Sequence, residues 1–151
     1  MDLGLRDRAC IVTGASRGIG RATAAVLAAE GAVVLLVARD EHALAEAARG
    51  VSGRTEALAL DITAPDAGER LVAECLERLG RIDALVNNAG TSAARTLEQL
   101  TDEDWQSQWD LHVMGPMRLM RAVAPAMRSL SHDSCTLLLV PVICPPLPGL
   151  M

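Results

Sequence analysis

The chain has 151 residues, half of them apolar and 22% charged, which suits one domain with a real core and is too short for two of ordinary size. A net charge of −5 excludes the basic face that a nucleic-acid partner requires. All fourteen basic residues are arginine, and lysine, tyrosine and phenylalanine are absent.

In chain order, short apolar runs alternate with helical patterns. "ACIVTG" (9–14) reads as a buried strand ending at a glycine, and "GIGRATAAVLAAE" (18–30) as a helix stopped by Gly31. "AVVLLVA" (32–38) has the continuous β-branched character of a strand buried on both faces. A polar helix is expected over 40–49 and a strand over 56–61. A helix with Pro65 near its first turn and Gly80 at its end comes next, then a strand over 83–88. Thr101 and Asp104 resemble a capping box that opens a long helical segment over 102–129. "CTLLLV" (135–140) reads as a fifth strand. Strands alternating with helices predict a parallel sheet covered on both faces, a doubly wound α/β domain.

Cys10, Cys75, Cys135 and Cys144 are widely spaced, with no Cys-x-x-Cys and no histidine pattern beside them. No metal site is expected; the thiols read as reduced cysteines of a cytoplasmic protein. The charged N-terminus does not resemble a signal peptide. The apolar stretch from Thr136 to Cys144 is too short to span a bilayer and is interrupted by Pro141, so no membrane partner is expected.

"TGASRGIG" (13–20) lies at the turn from the first strand into the first helix. Gly14 permits the tight turn, Gly18 allows backbone N–H groups to approach a pyrophosphate, and Gly20 allows close helix packing. The helix N-terminus adds partial positive charge. A P-loop is excluded, because it needs a lysine. The spacing Gly-x-x-x-Gly-x-Gly, "NNAG" at 87–90 and Asp61-Ile62 near the end of strand three together resemble the short-chain dehydrogenases/reductases. So does "DWQSQWDLHVMGPMRLMRAVAPAM" (104–127), and the likeness runs from about Leu5 to Arg128.

The resemblance implies a Rossmann-type sheet and an NAD(P)-dependent oxidoreductase acting on a small alcohol or carbonyl compound. It implies cofactor contacts from Gly14, Ser16, Arg17, Ile19, Arg39, Asp61, Ile62 and Asn88. Asp61 would meet the adenine amino group, and the segment around Asn88 a ribose. Where the family places a carboxylate for an unmodified ribose, Ala38 stands here, followed by Arg39. With Arg17 in the glycine loop, two guanidinium groups point to a 2′-phosphate, hence to NADP over NAD. Asp40 falls one residue too late for the ribose unless the strand end is shifted.

The family's proton-delivering Tyr-x-x-x-Lys pair is missing altogether, so no catalytic residue is assigned. His112 fills the position of the family's relay asparagine, and Pro116 has no N–H for the His112 carbonyl four residues back. His112 is otherwise expected to be an ordinary helix residue. Residues 1–128 are expected to form a partial dinucleotide-binding domain, a sheet truncated after about five strands. Residues 129–151, with four of the seven prolines, form an apolar tail where the catalytic segment belongs. A shifted reading frame or altered gene end accounts for it better than a natural truncation. The alternative function is a non-catalytic NADP-binding or interaction protein that self-associates or pairs with a full-length relative.

Overall fold

The computed structural model describes residues 4–91, 96–130 and 136–139. The strands are β1 (Ala9–Thr13), β2 (Val33–Ala38), β3 (Arg54–Ala59), β4 (Ala84–Asn87) and β5 (Thr136–Leu139). The helices are α1 (Gly18–Ala29), α2 (Glu41–Arg49), α3 (Ala67–Leu79), α4 (Asp102–Trp109) and α5 (Gly115–Leu130). All neighbouring strands pair in parallel, in the order β3-β2-β1-β4-β5. The expected doubly wound, Rossmann-type sheet is therefore present, with five strands.

Alternation along each strand sends side chains to opposite faces. Ile11, Leu35 and Leu85 face Leu71 and Cys75 of α3 and Leu119 and Val123 of α5. Cys10, Val12, Val34, Leu36 and Val86 face Ala24 and Ala28 of α1 and Leu44 and Ala47 of α2. Both faces of β1 and β2 are covered, so their sequences are continuously apolar instead of alternating. Gly31 (φ +91°) and Gly80 (φ +75°) turn the chain out of α1 and α3 through left-handed backbone.

Several boundaries differ from expectation. β3 begins and ends two residues before the predicted 56–61, because it follows the register of β2, with Val33 opposite Arg54 and Ala38 opposite Ala59. It lies at the sheet edge, where polar Arg54 and Thr55 are tolerated. β4 is shorter than 83–88 at both ends. Asp83 turns its carboxylate to the Ala9 N–H at 2.8 Å, and Asn88 leaves the ladder to bond β1. β5 lies inside the predicted 135–140.

The predicted 102–129 helix is not continuous. The capping box is present: Asp104 N–H donates to Thr101 Oγ1 at 3.2 Å, and Thr101 N–H to Asp104 Oδ2 at 3.1 Å. Between α4 and α5 the backbone winds into a π-helical turn, Asp110–Met114, closed by the Gly115 N–H on the Asp110 carbonyl. Pro116 has no N–H to bond the His112 carbonyl, so the α-helical register has one bond fewer to hold it there.

Candidate dinucleotide site

A groove of about 960 Å³ opens at the carboxyl ends of the strands. All eight expected cofactor residues line it: Gly14, Ser16, Arg17, Ile19, Arg39, Asp61, Ile62 and Asn88. Each arrives there from a loop or helix start that follows a strand.

The glycine loop closes tightly on the loop after β4. A Cβ on Gly14 (φ +67°) would stand 2.8 Å from Ala89 Cα and 2.9 Å from Asn88 Nδ2. Gly20 likewise has no room, being packed on Gly14 O and Asn88 Nδ2. Gly18 (φ +56°) is different: nothing lies within 4 Å of its missing Cβ, and it lines the groove. Gly20 therefore fits against loop backbone and Asn88, a partner the expected helix–sheet contact did not include.

The start of α1 carries the main electrostatic feature. Its N-cap, Arg17, provides no capping hydrogen bond, and the first turn has no acidic residue. By contrast α2 is capped by Asp40, whose Oδ1 accepts the Ala43 N–H at 2.9 Å, and α4 by Thr101. An uncapped helix start facing a groove presents free N–H donors to an anion, here beside two arginines. Arg17 and Arg39 are exposed, and neither has an ion pair among the described residues.

Asp61 stands on the rim. Burial pushes its pKa up, but the Thr63 N–H at 2.9 Å, the Thr63 hydroxyl at 2.7 Å and the nearby Arg39 charge outweigh this and lower it. Both bonds land on Oδ1. Ile62 is 4% exposed, and with Val37, Leu60, Ala43 and Leu111 it supplies the apolar part of the groove lining.

Thr13, absent from the expected set, is the hub of the site. Fully buried, its Oγ1 accepts the N–H groups of Asn88 and Ala89, each at 3.0 Å. Asn88 Nδ2 donates back to Thr13 O at 3.0 Å and Gly14 O at 3.3 Å. Asn88 thus ties the two loops together. Asn87 does not share that role: it is 3% exposed, and neither polar atom of its amide has a hydrogen-bond partner among the described residues. Nothing in the sequence separates these adjacent asparagines except that alternation sends them to opposite sides.

His112 is not an ordinary helix residue. Its Nε2 lies 2.8 Å from the Thr91 carbonyl, joining the π-helical turn to the loop after β4. Among the described residues, no group of histidine, cysteine or carboxylate side chains is arranged for a metal. Burial pushes the thiols of Cys10 and Cys75 up to about 11 and about 12, so both are unreactive at neutral pH. Cys135, Cys144 and the segment 140–151 of the expected tail lie outside the described residues. No described helix is long and apolar enough to cross a membrane.

The model of the short chain dehydrogenase family matches residues 8–137, nine residues beyond Arg128, where the sequence motifs end. The short-chain reductase protein NovJ of Streptomyces niveus is 40% identical over 130 residues, covering 84% of this chain and 50% of NovJ. Among solved structures, an L-sorbose reductase from Gluconobacter frateurii, complexed with NADPH and L-sorbose, is 41% identical with a TM-score of 0.80. The match covers 85% of this chain and 51% of that one. A metagenomic short-chain oxidoreductase in complex with NADP is 37% identical with a TM-score of 0.77, covering 83% and 58%. The chain spans about half the length of the curated relatives it matches. With the matching model covering most of its length, and the glycine loop, Thr13 hub and Asn88 tie in place, the chain belongs to the short-chain dehydrogenase family.

Proposed function

We propose that residues 1–128 bind NADP(H) in this groove as the cofactor-binding portion of a cytoplasmic oxidoreductase. Bound NADPH supplies a hydride for reversible reduction of a small carbonyl compound to an alcohol. The N–H groups at the start of α1, beside Gly14, Ser16 and Ile19, hold the pyrophosphate. Arg17 and Arg39 hold the 2′-phosphate, Asp61 and Ile62 receive the adenine, and Asn88 fixes the loop that meets a ribose. Residues 129–151 contribute no tyrosine or lysine for proton delivery, so the 151-residue chain turns over slowly or not at all.

One observation carries the preference for NADP over NAD. Asp40, the carboxylate nearest the end of β2, spends Oδ1 on the α2 cap, while Arg39 and Arg17 line the groove without ion partners among the described residues. The complexes of two solved relatives with NADPH and NADP support the same reading. The test is thermal unfolding with increasing NADPH and, in parallel, NADH. A ligand at 100 times its Kd stabilises by about 2.7 kcal/mol, so a clear rise in Tm is expected with NADPH at concentrations where NADH does little. No response to millimolar NADPH would sink the reading; equal responses would remove the preference.

A second reading, an interaction protein that self-associates or pairs with a full-length relative, is favoured by Trp105, Trp109 and Val113. They recur every four residues from α4 into the π-helical turn and are 58%, 54% and 39% exposed. Sedimentation of the chain, alone and mixed with a full-length relative, separates the two readings.

A further inference from the structure

Two loops wall the groove, 61–63 after β3 and 88–91 after β4, and one segment holds both from outside. Arg118 of α5 donates from Nη1 to the Thr63 carbonyl at 3.1 Å. His112 of the π-helical turn approaches the Thr91 carbonyl at 2.8 Å and Gln108 Oε1 at 3.1 Å through the same Nε2. A backbone carbonyl only accepts, so Nε2 carries the proton and donates. Between these ties the helix backbone rests on the first loop. A Cβ on Gly115 would stand 3.0 Å from Ile62 O and 3.1 Å from Asp110 O. Leu111, from the same turn, completes the groove wall.

Residues 112, 115 and 118 thus touch both walls within two turns of chain. The π-helical winding belongs to this arrangement, since Gly115 closes that turn on Asp110 and also makes the contact with Ile62. Such turns recur where a helix carries a functional task. We propose that the segment from His112 to Arg118 is a brace that sets the width of the dinucleotide groove. Arg118 and Gly115 position the adenine-side loop, and His112 positions the loop that continues from Asn88. The inference rests on the NADP-binding reading and adds residues that do not themselves hold the cofactor's phosphates.

Two probes separate the ties: NADPH, which reaches along both loops, and adenosine 2′,5′-bisphosphate, which carries only the adenine end. Each is titrated against the full chain and its variants, with Tm measured on the same samples without ligand. Arg118→Met and Gly115→Ala are expected to weaken both probes, by about tenfold for the lost guanidinium bond. His112→Leu is expected to weaken NADPH about three- to tenfold, as loss of one hydrogen bond allows, and to leave the bisphosphate unchanged. Arg118→Lys and His112→Gln, which keep a donor of similar reach, are expected to restore binding. Loss of both probes in step with Tm in every variant, without rescue, overturns the brace, because it marks a merely structural role. Wild-type binding of both probes with equal binding by the variants overturns the brace alone. Failure of the wild type to bind either probe overturns the NADP reading and the brace with it.

Discussion

Asp40 accepts the Ala43 N–H and caps α2, while Arg39 beside it lines the groove close enough to Asp61 to lower that carboxyl's pKa. A one-residue difference in position therefore separates a structural carboxylate from a cation open to ligand. Replacing Arg39 with leucine is expected to weaken NADPH by about tenfold or more, since a hydrogen bond to a charged group contributes about 1.5–3 kcal/mol. NADH, which lacks the 2′-phosphate, should be unaffected. Parallel titrations check this, and an equal loss for both nucleotides would take Arg39 out of that role. Asp83 shows a different use of charge, away from the groove. Burial pushes its carboxyl up, but hydrogen bonds from Arg81, the Ala9 N–H and Arg8 outweigh it and hold the pKa below the ordinary value. With the folded pKa depressed, its contribution is full above the unfolded value of about 3.9 and is lost as pH falls through the folded one. Asp83→Ala should lower stability by about 1–3 kcal/mol at neutral pH and flatten the acid limb below about pH 4, as read by urea unfolding across pH. An unchanged acid limb would show that other carboxylates carry it.

α3 and α5 lie in close contact where Gly68 meets Ala122 and Arg118. A Cβ at Gly68 would stand 2.8 Å from Ala122 Cβ and 3.0 Å from Arg118 O. Two effects compete in Gly68→Ala. Helix propensity favours alanine by about 1 kcal/mol, while overpacking costs about 1–3 kcal/mol. Because one obstacle is backbone and the other a Cβ, neither can swing aside, and the substitution is expected to lower Tm; a rise would mean the helices slide apart cheaply. The same element pair shows where sequence reading stops. α2 was expected from its polar helical pattern and its Asp40 cap is seen only in the structure, while α1 and α3 were legible because each has its own stop in Gly31 and Gly80. The capping box at Thr101 was legible for the same reason. The break between α4 and α5 was only half legible. Pro116 marks a lost hydrogen bond, but whether the chain kinks, frays or rewinds as a π-helical turn depends on what Gly115 packs against, namely Ile62 in another loop. His112 followed the same rule. Its partner, the Thr91 carbonyl, lies 21 residues away and comes within reach only through the π-helical turn. The eight expected residues meet at the groove because strand-end motifs place them there, whereas Thr13 was missed because a threonine ending a strand carries no signal of its partners.

At the scale of the whole molecule, the order β3-β2-β1-β4-β5 places the ends of β1 and β4 side by side, and the glycine loop and Asn88 meet there. Among the described residues, the groove lining runs from Gly14 to Leu111, all within the segment that the family model matches. On the proposed reading, cofactor recognition draws on the part of the fold described, while the proton-delivering tyrosine and lysine of the family are absent from the 151 residues. With no tyrosine and no lysine, the 151-residue chain has to rely on water or a distant side chain at the substrate oxygen. A missing general acid lowers the rate by about 10²–10⁴ even when the cofactor is correctly held. Binding and turnover are therefore expected to separate: the chain should saturate with NADPH, yet oxidise it in the presence of small ketones at least about 10²-fold more slowly than full-length relatives do. Stopped-flow absorbance at high protein concentration is the suitable measurement, because a single slow turnover would still register. Saturation with no single-turnover signal fits a cofactor-holding unit without its own acid. A turnover rate comparable to full-length relatives would mean that some other group in this chain delivers the proton, and His112, already donating through Nε2 beside the groove, would be the first to replace.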